Sequence, residues 1–506
     1  MRRIALGLGF LLAGCGDDGG GAAADEGSSG GAVETGATGD SGAPGSTGGG
    51  SDATGASDTA AGSSSSGETG ATETGDTDDV PPVEPPALCD DIELPARDGA
   101  EIVVSPVSDG VVMVEGVGEM SLRAAVSSAS PGDTVLLADG TYVLPEANEG
   151  GYSGIYITTP DVTLRSLSGD PTAVVIDSMY RSHGNSSAPI TIAASGVVVA
   201  NLTVTRSIFH LIHLWADGDA ALIHGVHMVD GGQQFLKSSV EAGTVDAVEV
   251  SCSQFRMTDE GRDNVWGYGP SDGNTTCYTG GIDTHNATDW YVHDNLFEGI
   301  YCDADGVQRP AHGRFPEQRD NMTYVGGLSE HAIHMWDSQQ GTGHQIVRNR
   351  IVNCARGIGI GLVDTVYGTR VLNNMVFSEH AGSREHDVGI IIERGVDMLV
   401  AHNTVFMSHP DAYASGIEYR FGETSNVTLH GNLSNRDIRA RDGAQANLVG
   451  NVVAGEGAWF LDPLGGDLHV LDCSPLESVD RHAEVPEDFD GTSRDEVTLV
   501  GADVCE

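Results

Sequence analysis

The stretch GGQQFLKSSV, residues 231–240, holds Lys237, the single lysine of a 506-residue chain. It belongs to a series of short segments with one pattern: LIHLW (211–215), FLKSS (235–239), GIDTH (281–285), AIHMW (332–336), GIGIG (357–361), GIIIE (389–393) and GIEYR (416–420). Side chains of a strand alternate between its faces, so the second and fourth residues of each segment share one face and the third and fifth the other. The first set is Ile212/Leu214, Leu236/Ser238, Ile282/Thr284, Ile333/Met335, Ile358/Ile360, Ile390/Ile392 and Ile417/Tyr419, mostly apolar, which marks the inside. The outward residues then form two ladders. One reads His213, Lys237, Asp283, His334, Gly359, Ile391, Glu418; the other reads Trp215, Ser239, His285, Trp336, Gly361, Glu393, Arg420. With neighbouring strands about 4.8 Å apart, Lys237, Asp283, His285, His334 and His213 meet in one patch.

A cation, a carboxylate and histidines in one patch suit β-elimination from a uronic acid. That reaction needs a positive group to neutralise the carboxylate, a base for the C5 proton and an acid for the leaving oxygen. Lys237, Asp283, His285, His334 and His213 are therefore the candidate catalytic residues. As the base, Lys237 needs its pKa lowered by several units, and Asp283 opposes that shift; a charge-donating Lys237 with His334 or His285 as base is the paired expectation. Hydrolysis of a glycosidic bond instead needs two carboxyl groups about 5–5.5 or 6.5–9.5 Å apart. Asp283 lies three coils from Glu393 and four from Glu418, at least ~14 and ~19 Å away, so a hydrolytic pair would recruit a loop acid such as Asp303, Asp305 or Glu330.

Two insertions border the patch, 256–280 and 301–330. The second contains RPAHGRFPEQR, where Arg309, Arg314 and Arg319 against Glu317 make a basic segment in an acidic protein. Trp215 and Trp336 flank the patch as exposed, outward residues, and Trp266 and Tyr268 lie on the first insertion. Aromatic faces stack on sugars and guanidinium groups hold carboxylate or sulfate. Candidate substrate-binding residues are thus Trp215, Trp336, Arg309, Arg314, Arg319, Glu393, Glu418 and Arg420. Each side chain also has a plain account, Lys237–Asp283 for instance being a surface ion pair worth about 0–1 kcal/mol; the clustering beside two long loops favours a site. A non-catalytic glycan-binding or adhesin surface is the alternative from a different class.

These segments need a repeating scaffold. VVVANLTV, ALIHGVHM, WYVHDNLF, IVRNRIV, VLNNMVF, LVAHNTVF, TLHGNLS and LVGNVVA align with Asn201, Gly225, Asn295, Asn349, Asn374, Asn403, Asn432 and Asn451 in one column. Asn and Gly tolerate positive φ most cheaply, so the column is expected at a tight left-handed turn repeated coil after coil. EMSLRAAVSSA (119–129) is the one clear helix, and PGDTVLLADGTYVL (131–144) follows it. With the closing FLDPLGGDLHV (460–470), these features resemble the right-handed parallel β-helix proteins of the pectate-lyase-like superfamily over residues 90–506. The resemblance implies an all-β fold, a single right-handed parallel β-helix with an N-terminal capping helix and two loop insertions. It also implies polysaccharide lyase activity on an acidic polysaccharide, with calcium as the cofactor to consider; the metal ligands themselves are not assigned. Neither the Arg-His-Gly arrangement of the alginate and chondroitin lyase branch nor a pectate-lyase-like aspartate set is present.

The first residues, MRRIALGLGFLLAGCGDD, place two arginines before an apolar run and Leu12-Ala13-Gly14 before Cys15. This is a secretory signal that resembles a bacterial lipoprotein signal, whose implied modification is cleavage before Cys15 and lipid attachment to its thiol. With Gly16 after the cysteine, the expected address is the outer membrane, facing the periplasm or the cell surface. Residues 16–88 are a Gly/Ser/Thr-rich acidic linker that buries too little to order itself, and residues 89–506 form the β-helix domain. A formal net charge of −49 excludes nucleic acid and makes the lipid anchor the sole membrane contact. A monomer is expected. Beyond Cys15 there are seven cysteines, an odd number in an oxidising compartment. Cys252–Cys277 and Cys473–Cys505 are the expected disulfides.

Overall fold

The computed structural model describes residue 89 and residues 92–504, apart from 149–150, 185–187, 239–242, 266, 269–273, 278, 303–322, 326–328, 339, 341–342, 363, 380–385 and 410–414. Cys15 and the linker up to residue 88 lie outside these. Three long sheets of 14, 11 and 10 strands run along the chain; apart from the antiparallel strands within residues 101–121 that open the first, successive strands pair in parallel with the equivalent strand one coil on. Each coil contributes one strand to each sheet in turn. This is the single parallel β-helix expected. The Val/Ile-rich runs fold this way because each strand buries one face against the common interior, a single continuous apolar core from Val104 to Ala444.

The helix, α1, is shorter than expected, Leu122–Ser127. Ser121 caps it by accepting from the Ala124 N–H, and Leu122, Ala125 and Val126 are buried where they close the first coil. The ten-stranded sheet that carries the candidate residues consists of β1 (Ile155–Ile157), β2 (Ile190–Ile192), β3 (Ile212–Leu214), β4 (Gln234–Ser238), β5 (Gly280–Thr284), β6 (His331–Met335), β7 (Arg356–Ile360), β8 (Val388–Ile392), β9 (Ser415–Tyr419) and β10 (Ile438–Ala440).

The asparagine column departs from its expected role. Asn201 and Gly225 do take positive φ, 53° and 59°, but further along the left-handed residue is the one before the asparagine: Asp294, Arg348, Asn373, His402, Gly431 and Gly450. From Asp294 onward the turn column therefore runs one residue ahead of the asparagines, whereas at Asn201 and Gly225 the aligned residue is itself the turn. The asparagines from Asn295 to Asn432 point inward and are buried, and Asn451 at the end is half-buried. The Asn349 Nδ2 and backbone N–H both donate to Asn374 Oδ1, at 3.0 and 2.9 Å, and Asn374 repeats this to Asn403, Asn403 to Asn432 and Asn432 to Asn451. Asn is required there for its amide, which binds the open carbonyls of a buried corner; the turn conformation falls to its neighbour.

The C-terminal segment folds back over the outer faces of two sheets. Phe460, Leu468, Phe489 and Val500 pack on Leu296, Val352, Phe377 and Phe406, and Val485 packs on Val347, Leu372 and Leu399. Arg494 pins the return by donating to Asn373 Oδ1, Gly501 O and Ala502 O. The outer face of β3–β6 is left polar. The disulfide expectation is corrected: Cys252 bonds to Cys89, not Cys277, tying the start of the domain to a coil corner. Cys302 and Cys473 are also disulfide-bonded, Cys354 is a buried free thiol, and Cys505 lies outside the described residues.

Candidate functional site

The register places the first outward ladder as the alternation requires: His213 opposite Lys237, then Asp283, His334, Gly359, Ile391 and Glu418. The second column continues the same pairing beyond the strand ends, through backbone bonds such as His285 N–H to Ser238 O and Trp336 N–H to Thr284 O. The patch is not an open surface, however. Lys237 is 7% exposed and Asp283 and His334 1%, and Trp215 and Trp336 are half-buried. The second column leans over the first and closes it.

Asp283 is the centre. Its Oδ1 accepts from Lys237 Nζ at 2.5 Å and lies 3.3 Å from His285 Nε2, while its Oδ2 accepts from the Trp336 indole N–H at 2.8 Å. His285 and Trp336 stack with ring centres 5.1 Å apart, and Trp336 also leans on His334 at 4.7 Å. On the far side His213 meets Trp215 edge-on at 5.1 Å and His210 at 5.2 Å. Of the five expected catalytic residues, His285 alone keeps a substantial opening to solvent, its side chain being 37% exposed.

Burial would raise the Asp283 carboxyl, but the Lys237 ammonium and the His285 hydrogen bond outweigh it and hold the group well below the usual carboxylate range. Lys237 therefore faces a permanent negative charge. Burial drives His213 and His331 well below the ordinary imidazole value and takes His210 and His334 down to about 4. These rings are neutral near pH 7. Calcium takes about six to eight oxygen ligands. Among the described residues the cluster offers imidazole nitrogens, an ammonium, an indole N–H and two carboxylates, Asp283 with both oxygens engaged and Glu330 beside His334, too few oxygens to fit calcium.

Sequence alternation missed His331, His210 and Gln234. In β6, Ala332 and Ile333 both face the core, so the strand bends at its start and His331 turns outward beside His334, ring centres 4.4 Å apart. The same bend puts Phe235 and Leu236 inside and Gln234 outside in β4. The available signal was the three-residue spacing of the two histidines in HAIH. Glu330, expected as a recruitable loop acid, is buried with Oε2 4.0 Å from His334 Nδ1.

The two insertions join each other: Asn274–Cys277 pairs in parallel with Thr323–Val325 in a small sheet of its own. Arg309, Arg314, Arg319, Glu317, Asp303, Asp305, Trp266 and Ser239 lie outside the described residues. Glu393, Glu418 and Arg420 are not beside the Lys237 cluster but three to four coils along. There Glu418 is held by Arg439 at 3.1 Å and Arg441 at 2.8 Å, and Arg420 bridges Glu393 at 3.2 Å and Asp442 at 2.9 Å. Burial pushes the Glu393 carboxyl up to about 7 despite Arg420.

No protein-family model matches this chain, and no curated protein does. Solved structures do. It is similar to pectate lyase Pel9A, with 13% identity, a TM-score of 0.44, and 80% of this chain covered against 96% of that one. A PL6 alginate lyase in complex with a trisaccharide gives 10% identity and a TM-score of 0.34 over 66% of this chain and 82% of that one. The A-module of the Azotobacter vinelandii mannuronan C-5 epimerase AlgE6 gives 15% and 0.31 over 69% and 97%.

Proposed function

We propose that the chain is a polysaccharide-active β-helix protein that cleaves an acidic, uronate-containing polysaccharide by β-elimination at the Lys237–Asp283–His285 cluster. What carries this reading is the position of the only lysine, on the outward ladder and fixed by Asp283, with an imidazole on the same carboxylate opening to solvent. The Lys237 ammonium neutralises the uronate carboxylate. His285 takes the C5 proton, the electron pair released becomes the C4–C5 double bond, and the glycosidic oxygen leaves C4 and takes a proton from solvent. Lys237 is assigned the charge and not the base, because its Nζ is already committed as a donor to Asp283 Oδ1. Trp215 and Trp336 border the cluster as stacking surfaces. Export and attachment through Cys15 put this activity outside the cytoplasm; Cys15→Ser is expected to move the protein out of the membrane fraction with its fold intact.

The test is turnover of a panel of pectate, alginate and glycosaminoglycan, followed by the absorbance of the unsaturated product. Lys237→Arg is expected to keep much of the activity, Lys237→Ala and His285→Gln to lose about 10²-fold or more in kcat. Wild-type turnover left unchanged by Lys237→Ala would remove the lysine from the chemistry. The burial of Lys237 and Asp283 favours a second reading, a glycan-binding surface in which the pair only holds the coils together. It predicts carbohydrate binding without any unsaturated product.

A further inference from the structure

Behind the Lys237–Asp283 pair lies a group of side chains that the elimination does not use. Glu330, His331 and His334 are all buried, and a carboxylate oxygen and one nitrogen from each ring lie within 4.8 Å of one another. The hydrogen bonding of the two rings is incomplete in a particular way. His334 Nε2 donates to the Gly361 carbonyl at 3.1 Å, which fixes the tautomer and leaves Nδ1 as a bare lone pair. That Nδ1 has no hydrogen-bond partner among the described residues, and neither nitrogen of His331 has one. A ring with both nitrogens buried and unbonded is expensive unless something else uses them.

The backbone is shaped around that ring. A Cβ at Gly359 would stand 2.6 Å from His331 Cδ2 and Nε2, so the glycine that interrupts the outward ladder supplies the space His331 fills. A Cβ at Gly280 would likewise meet Glu330 Cβ at 2.9 Å.

We propose that Glu330, His331 and His334 bind a divalent transition-metal ion of the zinc type. Two imidazoles and one carboxylate are a donor set zinc accepts, at about 2.0–2.2 Å from each ligand. At those bond lengths two ligand atoms of a tetrahedral ion sit roughly 3.4 Å apart, so binding draws Glu330 Oε2 and His334 Nδ1 together by about 0.6 Å from their 4.0 Å separation, with the third ligand atom closing in from within 4.8 Å. The Gly361 carbonyl then acts as the outer partner that orients a ligating histidine. The oxygen-seeking calcium and magnesium ions are poor matches for the two nitrogens. The site deepens the proposed activity by placing a fixed positive charge one coil beyond Asp283, but its test does not depend on catalysis.

The full chain, stripped with chelator and dialysed against zinc chloride, is expected to retain one zinc more per chain, by elemental mass spectrometry, than the His331→Gln variant treated alike. Cobalt in place of zinc is expected to give the visible absorption of a low-coordinate ion, lost in the same variant. Equal zinc in wild type and variant, or none in a folded wild type, overturns the proposal. Should His331→Gln fail to fold, Glu330→Gln, which keeps the side-chain shape, is expected to weaken zinc binding at least tenfold; unchanged affinity there overturns it equally. A lyase assay that fails while zinc is bound removes the elimination and leaves the metal. The reverse outcome removes the metal alone.

Discussion

Two columns of buried polar side chains run along the solenoid, one inside the coil and one on the outer face of β3–β6, and they differ in how their hydrogen bonds are met. Inside, from Asn295 to Asn451, each amide oxygen accepts from the coil before and each amide nitrogen donates onward or to a backbone carbonyl. Outside, the groups are buried as deeply, yet Gln234, His331 and His334 keep polar atoms with no partner among the described residues. An unmet buried donor or acceptor costs about 1–3 kcal/mol. The inner column therefore returns stability, and the outer column spends it where the chain places its only lysine. Unmet polar groups collected in one place are what single this cluster out as a candidate site.

The sharpest way to break the contrast is to damage the inner column. Asn374→Leu removes the acceptor used by the Asn349 amide and backbone N–H and the donor to the Ile346 and Leu372 carbonyls. With several buried groups orphaned, the expected loss is about 4 kcal/mol, read as a lower urea midpoint. A loss under about 1 kcal/mol would mean the ladder is decoration.

Next in size is the ion pair. Among the described residues, Lys237→Met leaves the buried Asp283 carboxylate with Trp336 and His285 as its partners, and about 3 kcal/mol of stability is expected to go. The sign with pH follows from Asp283. Its folded pKa is depressed, so the stability it contributes is present above its ordinary value of 3.8 and is lost as pH falls below that. The gap between wild type and Lys237→Met is expected to be full at pH 6 and to narrow on acidification below about pH 4; a gap constant across that range would place the destabilisation in lost packing instead.

The scaffold and the cluster were legible in the sequence to different depths. Alternation in seven short segments was enough to give the coil register and to bring Lys237, Asp283 and His334 onto one ladder, because a one-residue slip would have turned every apolar side chain outward. Alternation fails where a strand bends, which is why His331, beside two consecutive inward residues, was invisible. Composition could not separate Asn at a turn from Asn in a buried ladder, since both recur once per coil. Nor could it show Trp336 folding back to bond Asp283, a contact two residues off the ladder. The Cys89–Cys252 disulfide spans 163 residues, and sequence spacing holds no trace of which coil corner lies near the start of the domain.

A third stretch of the outer face, β8–β10, tests whether charge pairing alone distinguishes the two columns. There Glu418 has two arginines and a serine, while Glu393 shares Arg420 with Asp442. Burial raises the Glu393 carboxyl from 4.5 to about 7. A raised folded pKa contributes stability that is complete below the unfolded value and is lost as pH rises through the folded one. Between pH 4.5 and 7 wild type is thus expected to lose stability relative to Glu393→Gln, at up to about 1.4 kcal/mol per pH unit. Parallel pH profiles for the two proteins would show that Arg420 holds Glu393 ionised throughout.

The smallest effect carries the most information about the outer column. Replacing a fully bonded buried polar residue costs stability, but replacing one whose nitrogens are unmet removes a desolvation penalty and leaves only the change of shape. In metal-free protein His331→Leu is therefore expected to leave the urea midpoint unchanged or to raise stability by up to about 1 kcal/mol, the opposite sign from Asn374→Leu. Zinc reverses the order. At a free concentration about a hundred times its dissociation constant, a bound ion adds about 2.7 kcal/mol to the wild type and nothing to the variant, so the two unfolding curves should cross as zinc is titrated in. A loss above about 2 kcal/mol in chelated His331→Leu would mean the ring is already satisfied within the fold, and the two buried columns would then differ in position but not in kind.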